Sequence, residues 1–190
     1  MLLTALDTLD AVLEQHAAAL GTDLVPYRNH AYRVVNFCAA LATVRSRAEE
    51  SRASTHEPGA LAKMTIAVAF HDLGIWTDQT FDYLAPSMRL AREHLSAHGQ
   101  EAWIPEVEAM ILEHHRVRAV REHPGWLVEA FRQADWVDVT YGARSFGLPR
   151  SLVRDCFAHF PDQGFHRRLV QLTLQRVKSH PLSPLPMMRL

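Results

Sequence analysis

Apolar residues recur at spacings of three and four along nearly the whole chain, and this period decides the class of fold. Leu2, Leu6, Leu9 and Leu13 share one helical face, which predicts an N-terminal helix over 2–20 that stops near Gly21. Pro26 or Tyr27 opens a second helix, because proline suits a first turn; His30, Val34, Phe37, Cys38 and Leu41 form its apolar stripe. The polar, proline-terminated "RSRAEESRASTHEPG" (45–59) is expected to be a mobile loop. A third helix is predicted from Gly59 to Leu73, with Leu61, Met64, Thr65, Val68, Phe70 and His71 inward and Gly74 turning the chain at its end. Ser87 is expected to cap a fourth helix carrying Met88, Ala91 and Leu95. Pro105 opens a fifth, with Val107, Met110, Ile111 and His114 on one face. Pro124 opens a sixth, with Leu127, Ala130, Phe131, Ala134 and Asp138 together. A last helix covers 164–178, and the tail 179–190, with three prolines, is expected to be extended. No long alternating strand pattern, internal repeat or glycine-rich phosphate loop is present. The expected architecture is all-α, one domain over 1–190, with about seven helices.

The length of 190 residues suits one domain with a real core. Twenty basic against 21 acidic residues gives no strongly basic footprint, so nucleic acid is not an expected partner. Cys38 and Cys156 form no CxxC and read as small buried side chains in a reducing compartment. The start lacks the basic region and long apolar core of a signal peptide, and no run of about 18 apolar residues exists. A cytoplasmic protein without membrane contact is the expectation.

Histidine is the outlier, with 12 in the chain. Several ionisable residues fall on stripes that should face the core: His30, His71, Asp72, His114 and Asp135. Burying such groups is costly unless they are paired or bind a metal. A single inward histidine is ordinary, whereas five such groups on four helices call for a common partner. His71 and Asp72, adjacent in "AFHDLGIW", point about 100° apart on a helix. They can share an ion only near the helix end, and other ligands must come from elsewhere.

"YRNHAYRVVNF", then "AFHDLGIW", then "ADWVDVT" resemble the HD-domain superfamily of metal-dependent phosphohydrolases over roughly residues 27–140. The resemblance implies a helical bundle around a metal held by His30, His71, Asp72 and Asp135. It matches Arg33 to a frequent arginine of that family. The mixed nitrogen and oxygen donors suit one divalent transition metal such as Mn, Co, Ni, Fe or Zn, which would activate water and polarise a phosphoryl oxygen. The pair His114–His115 resembles the subset that adds ligands or binds the substrate's anionic group. On that footing Asp72, His114 and His115 are the expected catalytic residues, and Arg33 and Arg116, with Arg118 nearby, the expected anion-binding ones.

Two departures narrow the expectation. Two-metal members place a histidine near the start of the fourth helix, where this chain has Tyr83; His94 lies two turns further on, beside the apolar face. One ion is therefore preferred. The glutamate that follows the doublet in the nucleotidase branch is missing, and Asp78 and Asp82 are better read as loop or cap residues. Asp138, one turn past Asp135, is expected to orient a ligand or His114. Trp76, Phe81, Tyr83, Trp103 and Trp126 are expected to pack rather than to stack on a base.

Three functions follow in order of preference. The first is a hydrolase of a small phosphorylated metabolite or nucleotide. The second is a non-phosphate enzyme of the same fold, such as a cyanamide hydratase or a di-iron oxygenase. The third is a non-catalytic ligand-binding module. A homodimer is an expectation of the resemblance alone.

Overall fold

The structure is a computed structural model, and it describes residues 1–49, 59–122 and 126–188, with side chains from 45 to 49 left aside. Residues 50–58 of the expected mobile loop lie outside the described residues, as does Pro124, but the loop's first five residues, 45–49, are helical and continue the helix that begins at Leu24. The protein is an all-helical, single-domain bundle. In chain order the helices are α1 (Asp7–Gln15), α2 (Ala17–Leu20), α3 (Leu24–Glu49), α4 (Ala60–Phe70), α5 (Gly74–Thr77), α6 (Leu84–Ala97), α7 (Ile104–Glu113), α8 (Val128–Val139), α9 (Arg150–His159) and α10 (Phe165–Ser179). Among the described residues no helix is long and apolar enough to cross a membrane.

α3 is the axis of the bundle. It packs along α8 and against α4, and α7 closes the space between α4 and α8. Tyr27, His30, Ala31, Val34, Phe37, Cys38 and Leu41 are all buried, the three-and-four spacing of a helix facing neighbours. On α8 the same spacing buries Val128, Phe131, Asp135 and Asp138. Two carboxylates thus ride on an apolar stripe, turned toward α3.

Several expected boundaries are corrected. The N-terminal helix is not continuous over 2–20. Leu3 and Leu6 are drawn off as lone backbone donors, Leu3 to Asn36 Oδ1 at 2.8 Å and Leu6 to the Tyr32 hydroxyl at 2.9 Å, and helix begins only at Asp7. Ser87 does not cap α6. It lies inside the first turn, and its Oγ accepts the Gly74 N–H at 3.0 Å. Leu61 is exposed rather than inward. α9 is an addition to the expected set, its short stripe of Val153 and Cys156 buried and followed by Phe160. The tail does not run extended. Ser183 bonds back to His180 at 3.0 Å and Met188 to Leu185 at 3.1 Å. Pro181 and Pro186 occupy the second position of these two turns, where a fixed φ favours them.

Candidate metal centre

His30 leaves α3 in the middle of the bundle, and its Nδ1 lies 2.7 Å from Asp138 Oδ2. A carboxylate ionised beside Arg33 can only accept, so Nδ1 carries the proton and Nε2 presents a lone pair. His71 follows the last residue of α4. Its Nδ1 donates to the Val68 carbonyl at 2.8 Å, which leaves Nε2 in the same state. The two Nε2 atoms face each other at 2.9 Å. Two lone pairs at that distance repel unless a cation or proton lies between them.

Carboxylates surround this contact. Asp72 Oδ2 is 3.4 Å from His71 Nε2 and 3.8 Å from His30 Nε2. Asp135 Oδ1 is 3.8 Å from His30 Nε2 and 4.0 Å from His71 Nε2. All four side chains are buried. Asp72 Oδ1 and both oxygens of Asp135 form no hydrogen bond. Buried acceptors are almost always satisfied, so four acceptor groups converging in this way could hold a cation. A proton shared between the imidazoles would relieve one contact and leave Asp135 unpaired.

The charges respond to this crowding. Burial lowers His71 to about 3, which keeps it neutral. Burial opposes the charge of Asp72, but His71, His114 and His30 together hold it well below the usual carboxylate range. Asp135 is pushed the other way, to about 8, by burial and by Asp72 and Asp138 against the pull of His114. Two adjacent carboxylates without a compensating cation cannot both ionise readily.

A second group adjoins the first through Asp72. One ligand atom each from His30, His71 and Asp72 lies within 4.8 Å of the others, and the same holds for Asp72, His114 and His115. His114, just past the end of α7, donates Nδ1–H to the Ile111 carbonyl at 2.6 Å and turns Nε2 toward Asp72 Oδ1 at 3.4 Å. Burial opposes a charge on His114, yet Asp72 and Asp135 leave its value above the ordinary one. His115 is 17 % exposed, and its Nδ1 is 3.4 Å from Asp135 Oδ2. Tyr83 Oη lies 2.7 Å from His115 Nε2 and 3.5 Å from His114 Nε2. Burial, then Asp72 and Asp135, hold this phenol well above its ordinary value, so it stays a neutral O–H.

Of the residues expected to build the site, His30, His71, Asp72, His114, His115 and Asp135 are brought together. Arg33 is not positioned as expected. Arg33 is fully buried and forked onto Asp138, with Nη1 donating to the Phe160 carbonyl at 2.8 Å. Its role is to fix Asp138, and it has no path to a substrate. Arg116 pairs with Glu113 and Glu122, at 3.5 and 3.3 Å. Asp78 binds Arg89 on the surface, and Asp82 spends its backbone N–H on Thr80. His94 stacks on His98 at 4.2 Å and lines a separate cavity of about 230 Å³ with Thr8, Gln15 and Gln100. Asp138 orients His30 rather than His114.

The spacing arguments overlooked the packing shell. Phe165 stacks on His30 with ring centroids 4.1 Å apart. Tyr27 stacks near His71, donates to the Ala69 carbonyl at 3.2 Å and accepts the Asp72 N–H at 3.3 Å. Tyr27 stands three residues before His30 on the same stripe, a signal that was available; Phe165 comes from another helix and gave none. Comparison with family models, with curated proteins and with solved structures finds no match.

Proposed function

We propose that this protein is a metal-dependent hydrolase of the HD type, acting on a phosphate ester of a small molecule. His30, His71, Asp72 and Asp135 would hold one divalent transition-metal ion. The observation that carries this reading is the pair of bare Nε2 atoms at 2.9 Å, enclosed by carboxylate oxygens that lack hydrogen-bond donors. Two imidazole nitrogens and two carboxylates are a donor set suited to Mn, Fe, Co, Ni or Zn. When bound, such an ion supplies a water of lowered pKa and polarises an oxygen of the ester.

The chain's own residues do the rest. Asp138 and Val68 hold the two ligand imidazoles in their tautomer, and this second layer of contacts tunes the centre. Phe165 and Tyr27 exclude water from the inner side. His114 lies against Asp72, and its raised affinity for a proton suits it to hold one beside an anionic oxygen. His115, the partly exposed member, would meet the substrate. The ester chemistry rests on the resemblance of the ordered set His30, His71–Asp72 and Asp135.

The test is turnover after chelation and reloading with Mn²⁺, Co²⁺, Ni²⁺ or Zn²⁺, screened on phosphomonoesters, phosphodiesters and nucleotides. Hydrolysis is expected only on reloading, and to fall by more than about a hundredfold in His71→Ala. Hydrolysis that survives chelation, or persists undiminished in His71→Ala, contradicts the reading. Oxygen consumption by an iron-loaded form, with no ester cleaved, contradicts the hydrolase part alone.

A further inference from the structure

We infer that the cleft between α1, α4 and α6 is a separate small-molecule site, which takes an uncharged ring compound carrying an amide or lactam edge. It shares no residue with the metal centre and does not depend on the metal reading. The cleft has a volume of about 230 Å³, below the range of about 300–1,000 Å³ that holds drug-sized ligands. Its occupant is therefore a single small ring rather than a nucleotide or a peptide.

Small residues leave this space. α1 packs against α4. Thr8, Ala11, Val12 and Gln15 follow the three-and-four spacing of one face of α1, and Ala62 and Ile66 stand one turn apart on α4. Val12 and Ile66 are buried and give the cleft an apolar floor, while Ala11 and Ala62 are too short to close it.

The polar lining decides the chemistry. It consists of the Gln15 and Gln100 carboxamides, the Thr8 hydroxyl and the imidazoles of His94 and His98, and among the described residues no Asp, Glu, Lys or Arg lines the cleft. An ion entering here would leave water without meeting an opposite charge. Each carboxamide presents an N–H donor beside a C=O acceptor, a pair that an amide edge matches bidentately. The two imidazoles form a wall rather than a chelate. Their rings stack 4.2 Å apart with planes 30° from parallel, so their in-plane lone pairs do not converge on one point. His98 Nδ1 lies 2.7 Å from the His94 carbonyl, which fixes its ring, and the buried Phe70 ring stands 5.4 Å behind His94. Burial, then the neighbouring His98, holds His94 below its ordinary value, so this wall is uncharged at neutral pH.

The test is a titration of the full chain with nicotinamide, uracil and nicotinate, followed through the imidazole resonances of His94 and His98. Nicotinamide and nicotinate share a ring and differ in charge. Saturable shifts are expected with nicotinamide or uracil, at a Kd below about 1 mM, and binding of nicotinate is expected to be weaker by about tenfold or more. Ala62→Met fills the cleft without touching a polar group, and Gln15→Leu combined with Gln100→Leu removes both amide partners. Ala62 and Gln15 are exposed, so both variants are expected to fold, as checked by denaturant unfolding. Each is expected to weaken nicotinamide or uracil binding by about tenfold or more. No saturation with either uncharged probe, nicotinate bound as tightly as nicotinamide, or binding unchanged in both folded variants overturns the inference.

Discussion

His30, His71 and His114 each surrender one ring proton to an acceptor outside the centre, and in each the other nitrogen turns inward. Burial lowers the His71 imidazole to about 3, against the pull of Asp72 and of its bond to Val68. In the unfolded chain an ordinary histidine near 6.5 takes up its proton first. Between about 3 and 6.5 the unfolded state thus binds more protons, and this group's contribution to metal-free stability rises with pH. His71→Asn keeps a donor for Val68 and does not titrate. Denaturant unfolding of the chelated proteins at pH 4 and pH 7 should show the wild type losing on the order of a few kcal/mol more on acidification than the variant. Equal losses would mean that His71 is not held neutral. At this scale the sequence was informative about identity and silent about state. His30 and the His71–Asp72 doublet stood out because ionisable groups broke an apolar stripe. Their tautomers depend on the Val68 carbonyl and on Asp138, one local and one 108 residues away, and no spacing rule reports such acceptors.

The helices matter through where they stop. α4 ends at Phe70, so His71 and Asp72 sit on the turn beyond it, where adjacent side chains can meet one centre. Gly74 was expected to turn the chain just past the helix end. Its φ is not positive, and the chain passes directly into α5. What Gly74 provides is room. A Cβ would lie 2.7 Å from the Tyr83 carbonyl, 2.9 Å from Pro86 Cβ and 3.0 Å from Ser87 Oγ. Gly74→Ala should cost about 1–3 kcal/mol, the usual range for overpacking, measured by denaturant unfolding. An unchanged stability would show that the start of α6 yields freely and that Tyr83 is not rigidly placed. The long helices α3, α4, α6, α7 and α8 were legible because each buries several residues at helical spacing. α9 was not, because its buried stripe is only two residues long. The late start of α1 was hidden because Asn36 and Tyr32 of α3 take the Leu3 and Leu6 amides.

In the whole molecule, residues from four helices and their ends meet at one buried point: α3 gives His30, the end of α4 gives His71 and Asp72, the end of α7 gives His114 and His115, and α8 gives Asp135. The packing of α3 along α8 makes this possible, and the Arg33–Asp138 pair clamps the two helices beside the centre. The sequence pointed to the participants but misjudged Arg33, since a guanidinium matched to an anion-binding role is here consumed by an internal carboxylate. On the proposed reading, a cation lies between the two facing imidazoles. Anomalous diffraction from crystals grown with Mn²⁺ or Co²⁺ tests it most directly. The expected result is one strong peak within about 2.0–2.3 Å of His30 Nε2 and His71 Nε2, contacted by Asp72 and Asp135. A metal-soaked crystal with no peak there, and with the two imidazoles still facing each other across the same gap, would contradict it.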